Sequence, residues 1–188
     1  IFVSKFDGYW RNIRTVQDYW KANIETTENI PKINLYEEGW PIFTRSEEKP
    51  PVKFGPNSLS TKSLIANGAI NNGRVENSVI GPGVYIEEGA IIKESVILND
   101  SIIRKNSLIN KTIVDKNVEI KENVLIGYGN DFKINYDSEN SLNNGLNLIA
   151  ENVEIASGII INRNCRIDRD IKAGEFENNE IKSGTTVD

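Results

Sequence analysis

The apolar positions in the middle of the chain repeat every six residues. In the stretch VIGPGVYIEEGAII, residues 79–92, isoleucines stand at positions 80, 86 and 92. A helix repeats its apolar residues every three to four positions and an isolated strand every two, so neither element alone explains the spacing. The small and aliphatic residues follow alternating steps of four and two: Ile80, Val84, Ile86, Ala90, Ile92, Val96, Leu98 and Ile102. A step of two stays on one strand face and a step of four crosses a corner, so each hexad predicts one short strand and one turn.

Three such hexads close one triangular coil, and stacked coils share a core. The pattern returns after residue 113 and again after residue 148, which predicts a mainly β, parallel β-helix of hexapeptide repeats. A β-sandwich is the alternative, but its turns would not keep a six-residue phase. Residues suited to sharp corners fall between the predicted strands: Gly81, Pro82, Gly83, Gly89 and Gly158.

The six-residue phase breaks in two places. From Leu98 a second path of inward residues runs through Ile103, Ile109 and Val114, so some sides hold five residues. Near the front, Ile65, Ile70, Val75 and Ile80 also step by five. Under the six-residue phase, apolar residues also point outward, at Tyr85, Ile91, Ile97 and Ile103. Outward apolar residues predict that some walls contact another domain or subunit.

The pattern divides the chain into successive units. Residues 1–28 predict a strand and a helix, 29–63 a proline-rich linker, and 64–168 the coils, interrupted by a polar loop at 127–148. Residues 169–188 are expected to cover the open end. Within the linker, GWPIFT is compatible with one short edge strand, and Trp40 and Phe43 are expected to clamp the linker to a neighbouring surface.

The predicted helix begins at Thr15, with Asp18 three residues later as a variant capping box. Its apolar face comprises Val16, Tyr19, Trp20 and Ile24. A strand and a helix without a sheet cannot form a core, so we expect this unit to pack on an upstream domain. The chain begins at Ile1 and has no methionine, so we expect it to be part of a longer protein.

Composition narrows the functional classes. The net charge of −5 without a Lys/Arg cluster disfavours nucleic acid and anionic membrane surfaces. No apolar run is long enough for a membrane span, and the single cysteine fits a cytoplasmic protein. Cys165 falls on an inward position and is expected to be a buried small hydrophobe rather than a reactive thiol.

Four stretches together resemble the C-terminal part of glucose-1-phosphate adenylyltransferase, also called ADP-glucose pyrophosphorylase. They are GYWRNIRTVQDYWKAN (8–23), LYEEGWPIFTRSEEKPPVKF (35–54), VENSVIGPGVYIEEGAIIKESVI (75–97) and GLNLIAENVEIASGIII (145–161). The resemblance implies a left-handed β-helix that follows an α/β nucleotidyltransferase domain. It also implies that the parent protein converts ATP and glucose 1-phosphate to ADP-glucose and pyrophosphate with Mg²⁺, for glycogen synthesis. A homo- or heterotetramer under allosteric control is expected.

The resemblance assigns site residues only sparsely. The family motif reads Gly-Tyr-Trp-Arg-Asp-x-Gly-Thr, in which the Trp lines the sugar-phosphate site and the Asp helps to hold the metal. Here Trp10 matches, but the metal-binding position is Asn12, and a neutral amide is a poorer ligand for a hard cation than a carboxylate. Three interpretations stay open: a catalytically weak regulatory subunit, an active enzyme with other ligands, or an altered sequence. Since the main catalytic domain is absent, this fragment is expected to be inactive alone and to hold no metal or cofactor.

An effector site is also implied by the resemblance. Some relatives bind an anionic effector through a lysine in the last stretch, but the corresponding residue here is Glu151, which repels a phosphate. Arg163 and Arg166, with Arg169 nearby, are candidates for an alternative anion site, and scattered surface arginines are the other explanation.

Other enzymes with hexapeptide β-helices fit less well. Acyltransferases of this type use a histidine as general base and β-helical carbonic anhydrases use histidines on zinc. This chain has no histidine. A non-catalytic structural module remains the alternative for the fragment.

Overall fold

The computed structural model describes residues 2–43, 47–140 and 142–188. It contains one α-helix, α1 (Val16–Glu25), two short 3₁₀ helices (Tyr136–Ser138 and Glu177–Asn179), and twenty short strands in these ranges. In chain order the strands are β1 (Lys53–Phe54), β2 (Leu59–Thr61), β3 (Leu64–Ile65), β4 (Ile70–Asn71), β5 (Arg74–Glu76), β6 (Val79–Ile80), β7 (Tyr85–Ile86), β8 (Ile91–Lys93), β9 (Val96–Ile97), β10 (Ile102–Ile103), β11 (Leu108–Asn110), β12 (Thr112–Val114), β13 (Glu119–Ile120), β14 (Leu125–Ile126), β15 (Asn147–Ile149), β16 (Glu154–Ile155), β17 (Ile160–Ile161), β18 (Arg166–Ile167), β19 (Glu180–Ile181) and β20 (Thr186–Val187).

The strands form three parallel sheets that are the walls of a prism. Wall A contains β1, β4, β7, β10, β13 and β16, wall B runs from β2 to β19, and wall C runs from β3 to β20. From β1 to β15 each strand pairs in parallel with the strand three positions later, as β7 does with β10, whereas β17 and β18 pair with β19 and β20. Each coil therefore visits the three walls in turn, which confirms the predicted β-solenoid.

The core is a set of aligned aliphatic columns inside the prism. Ile86, Ile103 and Ile120 stack in register along wall A and are fully buried. Equivalent columns are Val75, Ile92, Ile109, Ile126, Ile161 and Ile181 in wall B, and Ile80, Ile97, Val114, Ile149, Ile167 and Val187 in wall C. Burying each such side chain contributes about 1.5–3 kcal/mol, so these columns are a major source of stability.

Five-residue sides recur at one corner, between walls B and C. Inward residues are five apart from Ile92 to Ile97 and from Ile109 to Val114, but six apart from Ile97 to Ile103. The five-residue sides predicted from Ile109 to Val114 and from Val75 to Ile80 are thus confirmed, whereas the five-residue steps predicted through Leu98 and Ile70 are wrong. The confirmed sides shift the inward phase by one residue in each coil.

This shift makes several predicted orientations wrong. Ile97, predicted to point outward, is fully buried in the main core. Ile103 is buried there too, which contradicts the outward orientation given by the strict six-residue phase and confirms the inward one given by the second path. Val96 and Leu98, predicted to point inward, pack in a second cluster on the outer face of wall C. Ile102 is half-buried on wall A rather than inside the prism. At the front, Ile70 likewise points away from the core, and the buried residue of its strand is Asn71 instead.

Polar ladders satisfy the buried main chain at the corners. Between walls B and C, the hydroxyl of Ser78 accepts a hydrogen bond from the N–H of Ser95 at 3.1 Å, and the hydroxyl of Ser95 accepts one from the N–H of Thr112 at 3.1 Å. At the same corner the N–H of Cys165 donates to Oδ1 of Asn147 at 2.8 Å. Buried main-chain donors must be paired, so these small polar residues are needed where the ladder of a strand ends.

Left-handed backbone conformations recur at all three corners, and at the two corners of wall A glycine or asparagine most often adopts them. Gly83 (φ 73°), Gly89 (φ 78°) and Gly158 (φ 74°) confirm the predicted glycine turns. Neighbouring coils have asparagine at the equivalent place, as at Asn106 (φ 58°) and Asn123 (φ 59°). Asparagine tolerates this region better than other residues with a Cβ, which explains its frequency here.

The solenoid begins earlier and ends later than predicted. Strand β1 at Lys53 already belongs to wall A, although residues up to 63 were predicted to be linker. Residues 169–188, predicted as a cap, add β19 and β20 to walls B and C, while Phe176 packs against the core. The sequence obscured these short strands because prolines and charged residues surround them.

Other predictions for the first 63 residues did not hold. Residues 2–10 form no strand, because no neighbouring strand pairs with them in the described part of the chain, and 39–43 form none either. Thr44, the last residue of the proposed GWPIFT strand, lies outside the described residues. Trp40 and Phe43 are 78% and 93% exposed, so they do not clamp the linker to another described part of this chain. Ile1 and Ser141, at the start of the first unit and within the polar loop, also lie outside the described residues.

Candidate functional site

Helix α1 covers the outer face of wall C. Thr15 caps it by accepting a hydrogen bond from the N–H of Asp18 at 3.1 Å, which confirms the predicted capping box. Val16, Tyr19, Trp20 and Ile24 of the helix pack against the second cluster, whose buried members are Val96, Ile113, Leu142 and Leu146. The predicted apolar helix face therefore packs on the solenoid, and its expected contact with an upstream domain stays a prediction.

Two polar contacts fix the helix along the corner between walls B and C. The indole Nε1 of Trp20 donates to the carbonyl of Glu94 at 2.6 Å. The hydroxyl of Thr27, just beyond the helix, pairs with Oδ1 of Asn77 at 2.8 Å. Glu94 and Asn77 both have positive φ, so their turns hold these groups outward at equivalent places in successive coils.

The loop 127–148 closes against the same helix. Leu142 and Leu146, both buried, join the second cluster beside α1. The ammonium of Lys111 donates to the carbonyl of Asn144 at 2.7 Å and lies 5.4 Å from the ring centre of Trp20. Burial lowers the pKa of Lys111, which is its largest perturbation, while the charge of Glu94 opposes this effect. The loop was predicted to project from the solenoid, and its anchoring to α1 was not predicted.

The segment that carries Trp10 and Asn12 lies beside the end of α1. Trp10 is 73% exposed and Asn12 is half-buried. The residues on either side of Trp10 are both held by Glu25: the hydroxyl of Tyr9 donates to Oε2 at 3.1 Å, and the guanidinium of Arg11 forms an ion pair with Oε1. Burial, and then the hydrogen bond to Glu25, raise the pKa of Tyr9. Trp10 lies between these two anchored residues, and its indole is exposed.

The residues present do not fit a Mg²⁺ site by themselves. Asn12 offers a neutral amide, whereas Mg²⁺ is bound through carboxylates, phosphates and water. Within residues 2–43, 47–140 and 142–188 no group of three or more acidic, cysteine or histidine side chains is placed to hold a metal ion. The side chains of this segment therefore cannot supply a complete set of ligands for the metal.

Arg163 and Arg166 bind different parts of the chain. Nε of Arg163 donates to the carbonyl of Gly129 at 2.7 Å, and its guanidinium lies 4.9 Å from the ring centre of Phe132. Arg166 forms a two-point contact with Asp168, with N–O distances of 3.0 and 2.8 Å. Arg169 pairs with Glu175 at 2.6 Å. Each guanidinium thus has an intramolecular partner, and the anion site stays a prediction.

Glu25 is the residue of this region that the sequence did not indicate. Its partners, Tyr9 and Arg11, lie 16 and 14 positions earlier in the chain, outside any helical or strand period. The only signal in the sequence was an acidic residue at the end of a helix, where a carboxylate is electrostatically unfavourable without a partner.

A prism of short parallel strands with hexad columns and serine, asparagine and glycine corners defines the class of hexapeptide-repeat solenoids. The chain belongs to the family described as GlmU-like, C-terminal hexapeptide, whose model matches residues 50–149. The described helices include none with the length and apolarity to cross a membrane.

Proteins named glucose-1-phosphate adenylyltransferase are similar to the whole of this chain. The one from Pseudothermotoga lettingae is 45% identical over 187 residues, which is 100% of this chain and 44% of that protein. Those from Thermotoga neapolitana and Acetivibrio thermocellus are 42% and 36% identical, again over 100% of this chain and 44% of each protein. The chain therefore spans less than half the length of the curated relatives it matches.

Proposed function

We propose that this chain is the C-terminal oligomerisation and regulatory portion of a glucose-1-phosphate adenylyltransferase, which forms ADP-glucose and pyrophosphate from ATP and glucose 1-phosphate for glycogen synthesis. The observation that carries the proposal is the similarity to proteins of that name over the entire chain, including the segment before the solenoid. The resemblance of residues 8–23 adds support, because it extends beyond the repeats that many enzymes share.

The proposal assigns the chemistry to the portion of the relatives that this chain does not cover. Mg²⁺, when bound there, would neutralise phosphate charge. From this chain, Trp10 would line the sugar-phosphate site and the solenoid would serve assembly. We expect the 188-residue chain alone to release no pyrophosphate.

Self-association is supported by a row of half-buried apolar residues on the outer face of wall B. Ile91, Leu108, Leu125 and Ile160 lie in register on successive strands. A continuous apolar row of this kind favours contact with another subunit. We propose a tetramer in the cytoplasm, where the free and buried Cys165 would stay reduced. Native mass spectrometry of the parent protein tests the tetramer, and Leu125→Lys is expected to weaken it if wall B contributes.

A second candidate, a catalytically weak regulatory subunit, is favoured by Asn12. The two are separated by assaying the full-length parent protein with ATP, glucose 1-phosphate and Mg²⁺ for pyrophosphate release. The enzyme hypothesis predicts turnover in the wild type. The regulatory-subunit hypothesis predicts turnover that is feeble and rises at least about tenfold in Asn12→Asp, as restored charge stabilisation would give. Silence in both proteins would refute an adenylyltransferase.

A further inference from the structure

The segment around Trp10 is attached to the solenoid through a short series of contacts. Trp20 and Thr27 fix α1 and the turn after it to the corner between walls B and C. Glu25, in the last turn of α1, then holds the segment through two groups at once. Because the helix is packed on wall C, the position of the Glu25 carboxylate is fixed relative to the whole domain.

The geometry of the two contacts determines where the indole points. Tyr9 and Arg11 reach different oxygens of one carboxylate, so the main chain between them cannot rotate without breaking a contact. The side chain between them, Trp10, is consequently directed to the open side, where it is 73% exposed. A charge-assisted contact to a guanidinium is stronger than a neutral hydrogen bond, so Arg11 is the firmer of the two attachments.

We infer that Glu25 is a positioning residue for the sugar-phosphate site: its carboxylate holds Tyr9 and Arg11 so that Trp10 faces the substrate. This inference rests on the proposed function for the identity of the substrate. It assigns Glu25 no contact with substrate. Small displacements of a group that orients a substrate weaken binding strongly, so the effect should be specific to glucose 1-phosphate.

The kinetic test uses the full-length parent protein and five variants. In Glu25→Ala the KM for glucose 1-phosphate should rise about tenfold, while the KM for ATP and the Tm stay unchanged. Glu25→Gln keeps an acceptor but loses the charge that holds Arg11, so an increase of about threefold is expected. Glu28→Ala removes a neighbouring exposed carboxylate that makes neither contact, and should leave every value unchanged. In a Tyr9→Phe/Arg11→Ala background, Glu25→Ala should add nothing, since its action passes through those residues.

A readout that is independent of activity uses 5-fluorotryptophan and ¹⁹F NMR, with Trp10→Phe to assign the resonance. Glu25→Ala should shift or broaden the Trp10 resonance, whereas Glu28→Ala should leave it unchanged. An unchanged Trp10 resonance overturns the inference. A change in Tm together with the KM for glucose 1-phosphate and the KM for ATP also overturns it, because it marks a general structural defect. If the wild type releases no pyrophosphate, the proposed function fails, and the NMR result still decides whether Glu25 positions Trp10.

Discussion

The indole Nε1 of Trp20 lies 2.6 Å from the main-chain carbonyl of Glu94, 74 residues away in the sequence. This contact joins the helix that precedes the linker to a corner of the solenoid. The two regions are thereby held together although the linker between them makes little regular structure. Docking of the helix can consequently be disturbed separately from the packing of the coils.

Replacing Trp20 should loosen α1 without unfolding the solenoid. Trp20→Phe removes one hydrogen bond, worth about 1 kcal/mol, so amide protection in residues 15–27 should fall roughly fivefold in hydrogen-exchange mass spectrometry. Trp20→Ala also removes apolar contact with the second cluster and should cost about 2 kcal/mol or more. Trp40→Phe is the matched control, because Trp40 is 78% exposed. Equal loss of protection in walls A and B would contradict local docking.

The inward phase can be tested with two adjacent isoleucines. Ile103 is fully buried in the main core, whereas Ile102 is half-buried on the outer face of wall A. Ile103→Ala should reduce the free energy of unfolding by about 2–5 kcal/mol and Ile102→Ala by less than about 1.5 kcal/mol. Urea denaturation monitored by circular dichroism measures both values. A larger loss for Ile102→Ala would show that the phase is assigned to the wrong residue.

The serine ladder should be sensitive to loss of a single oxygen. Ser95→Ala leaves the N–H of Thr112 buried without its acceptor, which should cost about 1–3 kcal/mol. Ser95→Thr keeps the hydroxyl, and threonine already occupies the same place in the next coil at Thr112, so a much smaller loss is expected. Thermal denaturation of the two variants provides the comparison. Similar Tm values for both would indicate that the hydroxyl contributes nothing.

Cys165 should be unreactive in the folded protein. Burial raises the pKa of its thiol from the usual 9.0 to about 11. Since the thiolate is the reactive form, 5,5′-dithiobis(2-nitrobenzoic acid) at pH 8 should label it only after unfolding. Labelling of the native protein at the rate of the denatured protein would contradict this burial.

The same raised pKa gives a stability effect with a defined sign. Between pH 9 and 11 the unfolded thiol loses its proton while the folded thiol retains it, so unfolding releases a proton and stability falls as pH rises. The contribution is complete below about pH 9. Cys165→Ala should lack this component. Because other groups also titrate in this range, the component is measured as the difference between the pH profiles of the urea midpoints of the wild type and the variant.

Much of the fold could be predicted from the sequence because each coil of the solenoid needs the same residue types at the same positions. Columns such as Ile80, Ile86 and Ile92 leave a six-residue signature, and the left-handed turns favour glycine and asparagine in every coil. The failure at Val96 and Ile97 has a physical cause. Wall C is covered on both faces, by the core and by α1, so both residues are buried and alternation cannot distinguish them.

The candidate site was less accessible. The roles of Trp10 and Asn12 were assigned from a resemblance to a family and stay predictions. The anion site at Arg163 and Arg166 also stays a prediction. Contacts such as that between Glu25 and Arg11 join a helix to an irregular segment and leave no period in the sequence. Hydrogen bonds between distant irregular segments are determined by tertiary structure, and only coordinates can reveal them.

The long loop has a consequence for how such proteins diversify. Val114 pairs with Ile149, and Ile126 pairs with Ile161, across the interruption at 127–148, just as Ile97 pairs with Val114 where there is none. The strands before and after the loop thus keep their register whatever the length of chain inserted at the corner between walls B and C. During evolution, binding elements can therefore be inserted at one corner of the solenoid while its aliphatic core stays unaltered.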